Sequence, residues 1–516
     1  MPTPISGYHH HRRLPVTIKP ESKTFQLLET TVADVQKAFA DGELTARELV
    51  QMYLDRIEAY DKAGPAINSV ITVSSTALAE ADALDAKFRS TGPVGPLHGI
   101  PVLIKDQVDT VGMPTTMGSV IFKDYYPDRD AFVIEKLKAA GAIILGKVTL
   151  GEMGGGDTHG TLFGSTKNPY SLERTAGGSS GGSGAAAAAN FATITVGQEG
   201  FASIRRPSAW NSCAGMRPSP GLVSRSGAYG GWPSRTGSLG PICRTVEDMA
   251  RLLDVMVGYD PEDPGTAFAV GHTPLSYVDF LEADGLRGAR IGVLRESMAS
   301  NSEPDSEDFK NVTAVFERAM SELEAAGATL VDVTIPNLNE LLAKRAGDGG
   351  GDSFMEWMNR SANPPFKSYD ELLAHPEYQG IVTRRSAGRG NQRAAGTNAH
   401  YEYLLAKEEL MANVLKVMAD NELDAIVHKT VEHTPTLIKD GVNPPYVNMK
   451  GAPHINTFLV DAASVTVPAG FTVDDLPVGI TFFGRVYSDA SLIKFAYAYE
   501  QATKYRKPPA STPPLR

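Results

Sequence analysis

From residue 98 to about 270, short apolar runs alternate with glycine-rich turns. The runs at 100–104 (IPVLI), 142–146 (AIILG) and 192–197 (ATITVG) have the length and composition of buried strands, and helical segments such as 130–140 lie between them. Strands buried on both faces need helices to cover them, so this rhythm predicts an α/β layer architecture. It resumes at 290–294 (RIGVL) and 329–335 (TLVDVTI), with a helix near 306–326 between, then at 424–428 (DAIVH), 464–470 (SVTVPAG) and 478–484 (VGITFFG). A last helix is expected to open at Ser488 and bury Leu492, Phe495, Ala496 and Tyr499. Residues 31–60 predict two helices parted by Asp41-Gly42. Thr45 and Glu48 form a capping box ahead of Leu49, Tyr53 and Ile57.

A chain of 516 residues has room for about three domains of ~150 residues, although large α/β enzymes also run as one. The net charge, 49 − 60 = −11, argues against a nucleic-acid partner, which calls for basic patches. Cys213 and Cys243 are the only cysteines, which argues against a disulfide scaffold and for a reducing compartment. With no signal-like run near the start and no apolar window of about 18 residues, the expectation is a cytoplasmic protein with no membrane partner. Residues 1–24 are polar and contain proline. We expect 1–30 to form an extended arm, with His9, His10 and His11 solvated, and 506–516 a C-terminal tail. Residues 345–400 mix Gly, Pro and large apolar side chains without a clean period. They suit a lid or pocket wall and equally a surface excursion packed on Phe354 and Trp357.

The stretch ERTAGGSSGGSGAAAAAN (173–190) admits three readings. A flexible linker is disfavoured because the glycines run into Ala185–Ala189, which favour helix, and then into an apolar run. A phosphate loop is disfavoured because neither GK[ST] nor GxGxxG is present. The third reading is a hydrolase site. A nucleophile elbow centred on Ser180 in GSSGG needs an apolar strand just before it, and the polar NPYSLERTA stands there instead. The other hydrolase form draws on distant partners. Ser203 follows a strand and a Gly-x-x-Gly turn 203 − 179 = 24 residues on, and Lys105 ends the run IPVLI 179 − 105 = 74 residues back.

Three segments, GIPVLIKDQVDTVGMPTTMGS, TAGGSSGGSGAAAAA and GQEGFASIRRPSAWNSCAGMRPSPGLVSRSG, resemble the amidase signature family in order and spacing. Weaker likeness extends over about residues 30–500 and is least distinctive at 345–430. The resemblance implies an α/β amidase-signature fold, a large mixed β-sheet core covered by helices on both faces. It also implies one catalytic domain over 31–505, with 345–430 as a variable pocket or lid region. It assigns a Ser–cis-Ser–Lys triad to Ser203 (nucleophile), Ser179 (bridging serine after a cis peptide bond) and Lys105 (base). The chemistry is coherent. A serine hydroxyl is a poor nucleophile until a base takes its proton, and a lysine serves as base once burial lowers its pKa. The oxyanion-hole donors fall on the backbone N–H groups of Gly200, Phe201, Ala202 and Ser203. Ser180, Glu199 and Arg205 are expected to support the site, and Asp106 is a further support candidate. A helix beginning near Ala185 would aim its amides at the serines.

The chain departs from the family at one place. Where the family usually carries Thr-Asp-Thr-Gly-Gly before the nucleophile, this chain has Gln198-Glu199-Gly200-Phe201-Ala202. Phe201 and Ala202 do not readily adopt φ > 0, so either the turn uses ordinary dihedrals or its shape differs. The implied activity is hydrolysis of small, fairly apolar linear amides through an acyl-enzyme, with a small-molecule amide as partner and no cofactor. An esterase or carbamate hydrolase with the same triad is the alternative. The glutamine-hydrolysing component of an amidotransferase would bring partner chains but is expected to keep the family turn. A non-catalytic binding protein would have lost a triad residue. No metal site is expected: the histidines of HKTVEH (428–433) are spaced for different helix faces and HExxH is absent. Phe354, Met355, Trp357 and Met358 either line an apolar pocket or are core. The sequence leaves the oligomeric state open, a homodimer included.

Overall fold

A computed structural model describes residues 25–229, 237–299, 301–344, 351–380, 398–453, 455 and 461–515. The expectations for residues 1–24, His9–His11 included, lie outside the described residues. Among the described residues eleven strands make one sheet: β1 (Val70–Val73), β2 (Pro101–Lys105), β3 (Ile143–Val148), β4 (Ile194–Glu199), β5 (Ala214–Arg217), β6 (Ser238–Cys243), β7 (Arg290–Leu294), β8 (Thr329–Val333), β9 (Ala425–Lys429), β10 (Ser464–Phe471) and β11 (Pro477–Phe483). Their order is β1-β3-β2-β4-β6-β5-β10-β11-β9-β7-β8. The sheet is mixed. β3, β2 and β4 run parallel, as do β9, β7 and β8, and antiparallel pairs join these blocks through the centre. The expected α/β architecture is what forms, with every strand run anticipated from the sequence present within a few residues.

Alternation along β4 splits its neighbours between two faces. A Cβ on Gly197 would stand 3.0 Å from Ser180 and 3.2 Å from Ile204. The next residue back, Val196, turns the other way into a core shared with Met249 and Leu253 of the helix Val246–Met256. Helices therefore meet β4 from both sides, and its C-terminal end is left to carry a site.

The capping box at Thr45–Glu48 forms, with Thr45 N donating to Glu48 Oε2 at 2.8 Å and Glu48 N to Thr45 Oγ1 at 3.2 Å. The final helix runs Asp489–Thr503 and buries the four residues expected. Three expectations need correction. The helix of the glycine-alanine stretch runs Gly181–Ala188, starting four residues before Ala185. Its glycines belong inside it because neighbouring chain leaves no space: a Cβ would lie 2.1 Å from Thr158 Oγ1 at Gly181 and 2.3 Å from the Thr149 carbonyl at Gly182. The two ends of the chain are docked where they are described. Arg506 binds Glu29 at 2.8 Å, and Arg56 donates to the carbonyls of Thr512 and Pro513, each at 2.9 Å. Finally, 351–358 is a helix whose Phe354, Trp357 and Met358 are buried against Phe122, Tyr125 and Tyr229. Of these candidate pocket residues, Phe354 and Met358 are core, and Trp357 reaches both core and cavity.

Candidate active site

Lys105 ends β2 beside the end of β4, in a wholly buried position. Its Nζ donates to Ser179 Oγ at 2.7 Å and to the Gln198 carbonyl at 3.2 Å. Burial drives the ammonium well below its ordinary pKa of 10.5, and the Glu199 carboxylate pulls in the opposite direction. A neutral amine so held can accept a proton from the hydroxyl it faces.

Ser179 follows a cis peptide bond from Gly178. A Cβ on Gly178 would lie 2.2 Å from the Gly156 carbonyl, so only glycine fits before the bridging serine. Arg206 grips this segment: its guanidinium donates to the Gly178 carbonyl at 2.8 Å, lies 3.0 Å from Asp157 and stacks 5.5 Å over Trp210. Ser180 links the pieces. Its N–H donates to the Ser203 carbonyl at 3.1 Å and its Oγ to the Gln198 carbonyl at 3.0 Å. The structure thus brings Lys105, Ser179, Ser180 and the Ser203 turn into one cluster. Ser203 is half-buried at the helix Arg205–Trp210, while Ser179 and Ser180 are buried.

The turn before Ser203 uses ordinary dihedrals: Gly200, Phe201 and Ala202 all keep φ negative. Phe201 and Ala202 therefore sit without strain, and the turn needs no glycine there. The amides of Gly200, Ala202 and Ser203 donate to no protein acceptor among the described residues. Phe201 and Ala202 pack with Ala452 and Met449, giving the turn an apolar flank.

Glu199 braces the turn from beneath. One carboxylate oxygen accepts from the N–H groups of Ile204 at 2.8 Å and Arg205 at 3.0 Å. The other accepts from Arg205 Nε at 2.8 Å and from Arg205 Nη2. Arg205 closes the loop by donating to the Phe201 carbonyl at 3.1 Å. Both side chains are fully buried. Asp106, next to the lysine, accepts from Thr116 N at 3.2 Å and pairs with Lys147 at 3.2 Å. Burial raises its pKa, and Lys147 opposes that rise. It ties the end of β2 to Thr116 and Lys147.

Sequence reasoning missed Arg206, Asp157, Lys147 and the side chain of Gln198. Only Arg206 carried a local signal, its four-residue spacing to Trp210 on a short helix. Among the described residues no group of three His, Cys, Asp or Glu side chains is arranged to hold a metal. His428 is buried, its pKa pushed down to about 3 chiefly by desolvation. No helix of the described residues is long and apolar enough to cross a membrane.

A cavity of about 400 Å³ adjoins the cluster. Gln198, Gly237, Leu239, Arg225, Trp357 and Arg360 are among its lining residues, while Lys105, Ser179 and Ser203 lie outside its wall. Gln198 is the shared element: its carbonyl serves Lys105 and Ser180, and the residue also lines the cavity.

The Amidase family model matches residues 48–493. A probable amidase of Arabidopsis thaliana is 32% identical over 529 residues, covering 95% of this chain and 93% of that protein. A glutamyl-tRNA(Gln) amidotransferase chain of Alkaliphilus metalliredigens is 32% identical, covering 92% of this chain and 96% of that protein. Among solved structures, the native peptide amidase from Stenotrophomonas maltophilia superposes with a TM-score of 0.80 at 32% identity, over 93% of this chain and 98% of that one. The corresponding amidotransferase chain of Thermotoga maritima gives 0.70 at 26% identity, over 93% and 96%. A family match that spans the sheet from β1 to β11, together with relatives aligned almost end to end, means that the chain belongs to the amidase (amidase-signature) family and is an enzyme acting on carbon–nitrogen bonds.

Proposed function

We propose that the chain hydrolyses linear amides through an acyl-enzyme on Ser203. The observation that carries this is the 2.7 Å bond from the buried Lys105 Nζ to Ser179 Oγ, in a cluster tied to the Ser203 turn. Ser203 Oγ attacks the substrate carbonyl carbon. Its proton passes to Ser179 Oγ as the Ser179 proton passes to neutral Lys105. The oxygen of the tetrahedral intermediate takes hydrogen bonds from backbone N–H groups of Gly200–Ser203. Lys105 then returns a proton through Ser179 to the departing nitrogen, the C–N bond breaks, and water repeats the sequence on the acyl-serine. Ser180, Glu199 and Arg205 hold the turn, and no cofactor enters.

The apolar flank of Phe201, Ala202, Met449 and Ala452 supports a small, fairly apolar acyl group at the scissile carbonyl. The peptide amidase and probable amidase relatives support an amide over an ester or carbamate. Phe201 in the nucleophile turn favours this reading over that of an amidotransferase glutaminase. We take 31–505 as one catalytic unit, because one sheet runs from Val70 to Phe483, and a cytoplasmic location, which suits two buried free cysteines. The test is kcat/KM on primary amides and matched esters. Ser203→Ala and Lys105→Ala should each lose about 10³-fold or more. Faster turnover of glutamine or malonamide than of alkyl and aryl amides would count against the apolar acyl group.

A further inference from the structure

Gln198 stands where the family usually carries threonine, and the residue is 4% exposed. Gln107 fixes which way that carboxamide points. Gln107 Nε2 donates to the Tyr229 carbonyl, which can only accept, so the Gln107 nitrogen must face this way. The same nitrogen donates to Gln198 Oε1 at 3.2 Å. Gln198 must therefore present its oxygen to Gln107, and its Nε2 is left without a partner among the described residues. The facing backbone gives this nitrogen room: at Gly237 a Cβ would lie 2.8 Å from it. A buried N–H donor with no acceptor is costly, and both Gln198 and the Gly237 beside its nitrogen line a cavity of about 400 Å³.

We propose that the cavity receives the far end of the substrate's acyl group, and that Gln198 Nε2–H donates to a neutral carbonyl oxygen carried on it. This rests on the amide-hydrolase reading above. The substrate class is then an amide apolar next to the scissile carbonyl but bearing a second carbonyl further along, as a ketone or a peptide-like amide does. The wall suits a neutral group over an anion: Arg225 is paired with Asp263 and Arg360 with Glu262, at 2.5 and 3.0 Å, and Glu356 adds a further carboxylate. Gln198 is a specificity-determining residue here, and Gln107 and Gly237 are positioning residues for its carboxamide.

The test uses a ladder of keto-alkanamides, the ketone moved one carbon at a time from the amide, each against its parent alkanamide. The readout is the ratio of kcat/KM, keto over parent, within each variant, so that any general change in activity cancels. One member of the ladder should be preferred by about five- to tenfold in the wild-type enzyme, and the ratio should fall toward unity in Gln198→Leu. Gln107→Leu and Gly237→Ala should lower it in part, and they read the proposal if Gln198→Leu does not fold. The same pairs bound to Ser203→Ala, with Kd from calorimetry, give the ratio without turnover. No preference anywhere on the ladder, or a preference that survives Gln198→Leu, overturns the proposal while leaving the hydrolase reading intact. A binding preference without hydrolysis of any amide by the wild type overturns the hydrolase reading instead.

Discussion

Replacing Glu199 by Gln removes one charge from a place that water does not reach. The wild-type carboxylate accepts four hydrogen bonds, two from backbone N–H groups and two from Arg205. Arg217 lies 3.9 Å away and is itself fully buried. Two unit charges about 3–4 Å apart at an effective dielectric near 20 attract by about 4–5 kcal/mol, a gain opposed by the cost of burying both. In the variant the carboxamide keeps one accepting oxygen, and its NH2 must face donors. Arg205 stays buried without a counter-charge. Breaking a buried pair in this way costs about 3–5 kcal/mol, a large share of the ~5–15 kcal/mol that holds a domain folded. Urea unfolding followed by tryptophan fluorescence reads the loss. The same substitution acts on Lys105 with a separable sign. Glu199 raises the Lys105 pKa, so without its charge the acid limb of kcat/KM moves to lower pH even as the maximal rate falls. A loss below about 1 kcal/mol, or an acid limb that moves to higher pH, would refute this account of the turn.

Lys105→Met should raise stability near neutral pH. Between the depressed folded value and 10.5 the unfolded chain binds the extra proton, so wild-type stability climbs with pH through that window. The variant's advantage should shrink toward pH 10.5, which denaturation midpoints across pH will report. Asp109 accepts from Trp357 Nε1 at 3.0 Å, and burial raises its pKa from 3.8 to about 6. Its contribution is present below pH 3.8 and lost as pH rises through about 6. Asp109→Asn should therefore gain about 3 kcal/mol relative to wild type across that range in urea titrations. Gly182→Ala should destabilise although alanine is the better helix former by about 1 kcal/mol. Its Cβ would lie 2.3 Å from the Thr149 carbonyl, and thermal melts would show which effect wins.

Local patterns carry much of this fold. The Thr45–Glu48 capping box, the strand runs and the final helix are each written within a few consecutive residues, which is why they are legible. The positions of Lys105, Ser179 and Ser203 are legible through three separated motifs in order. The rest depends on contacts between residues far apart in the chain. Arg206 reaches back 28 residues to the Gly178 carbonyl, and Lys147 meets Asp106 across neighbouring strands. Arg56 holds the last residues from over 450 positions away, so a stretch that reads as a free tail is docked. The start of the glycine-alanine helix is hidden in the sequence because glycine is a poor helix former in isolation. Here tight packing against Thr158 and Thr149 overrides that propensity. Gln198 reads as a loss of the family turn; its role in the cavity wall depends on Gln107, 91 residues earlier.

We propose Ser203, activated through Ser179 and Lys105, as the nucleophile. A serine-reactive phosphonate followed by peptide mass spectrometry tests it most directly. One label is expected, on Ser203, abolished in Lys105→Ala. A label on Ser180, or labelling of Ser203 that persists undiminished in Lys105→Ala, would contradict it.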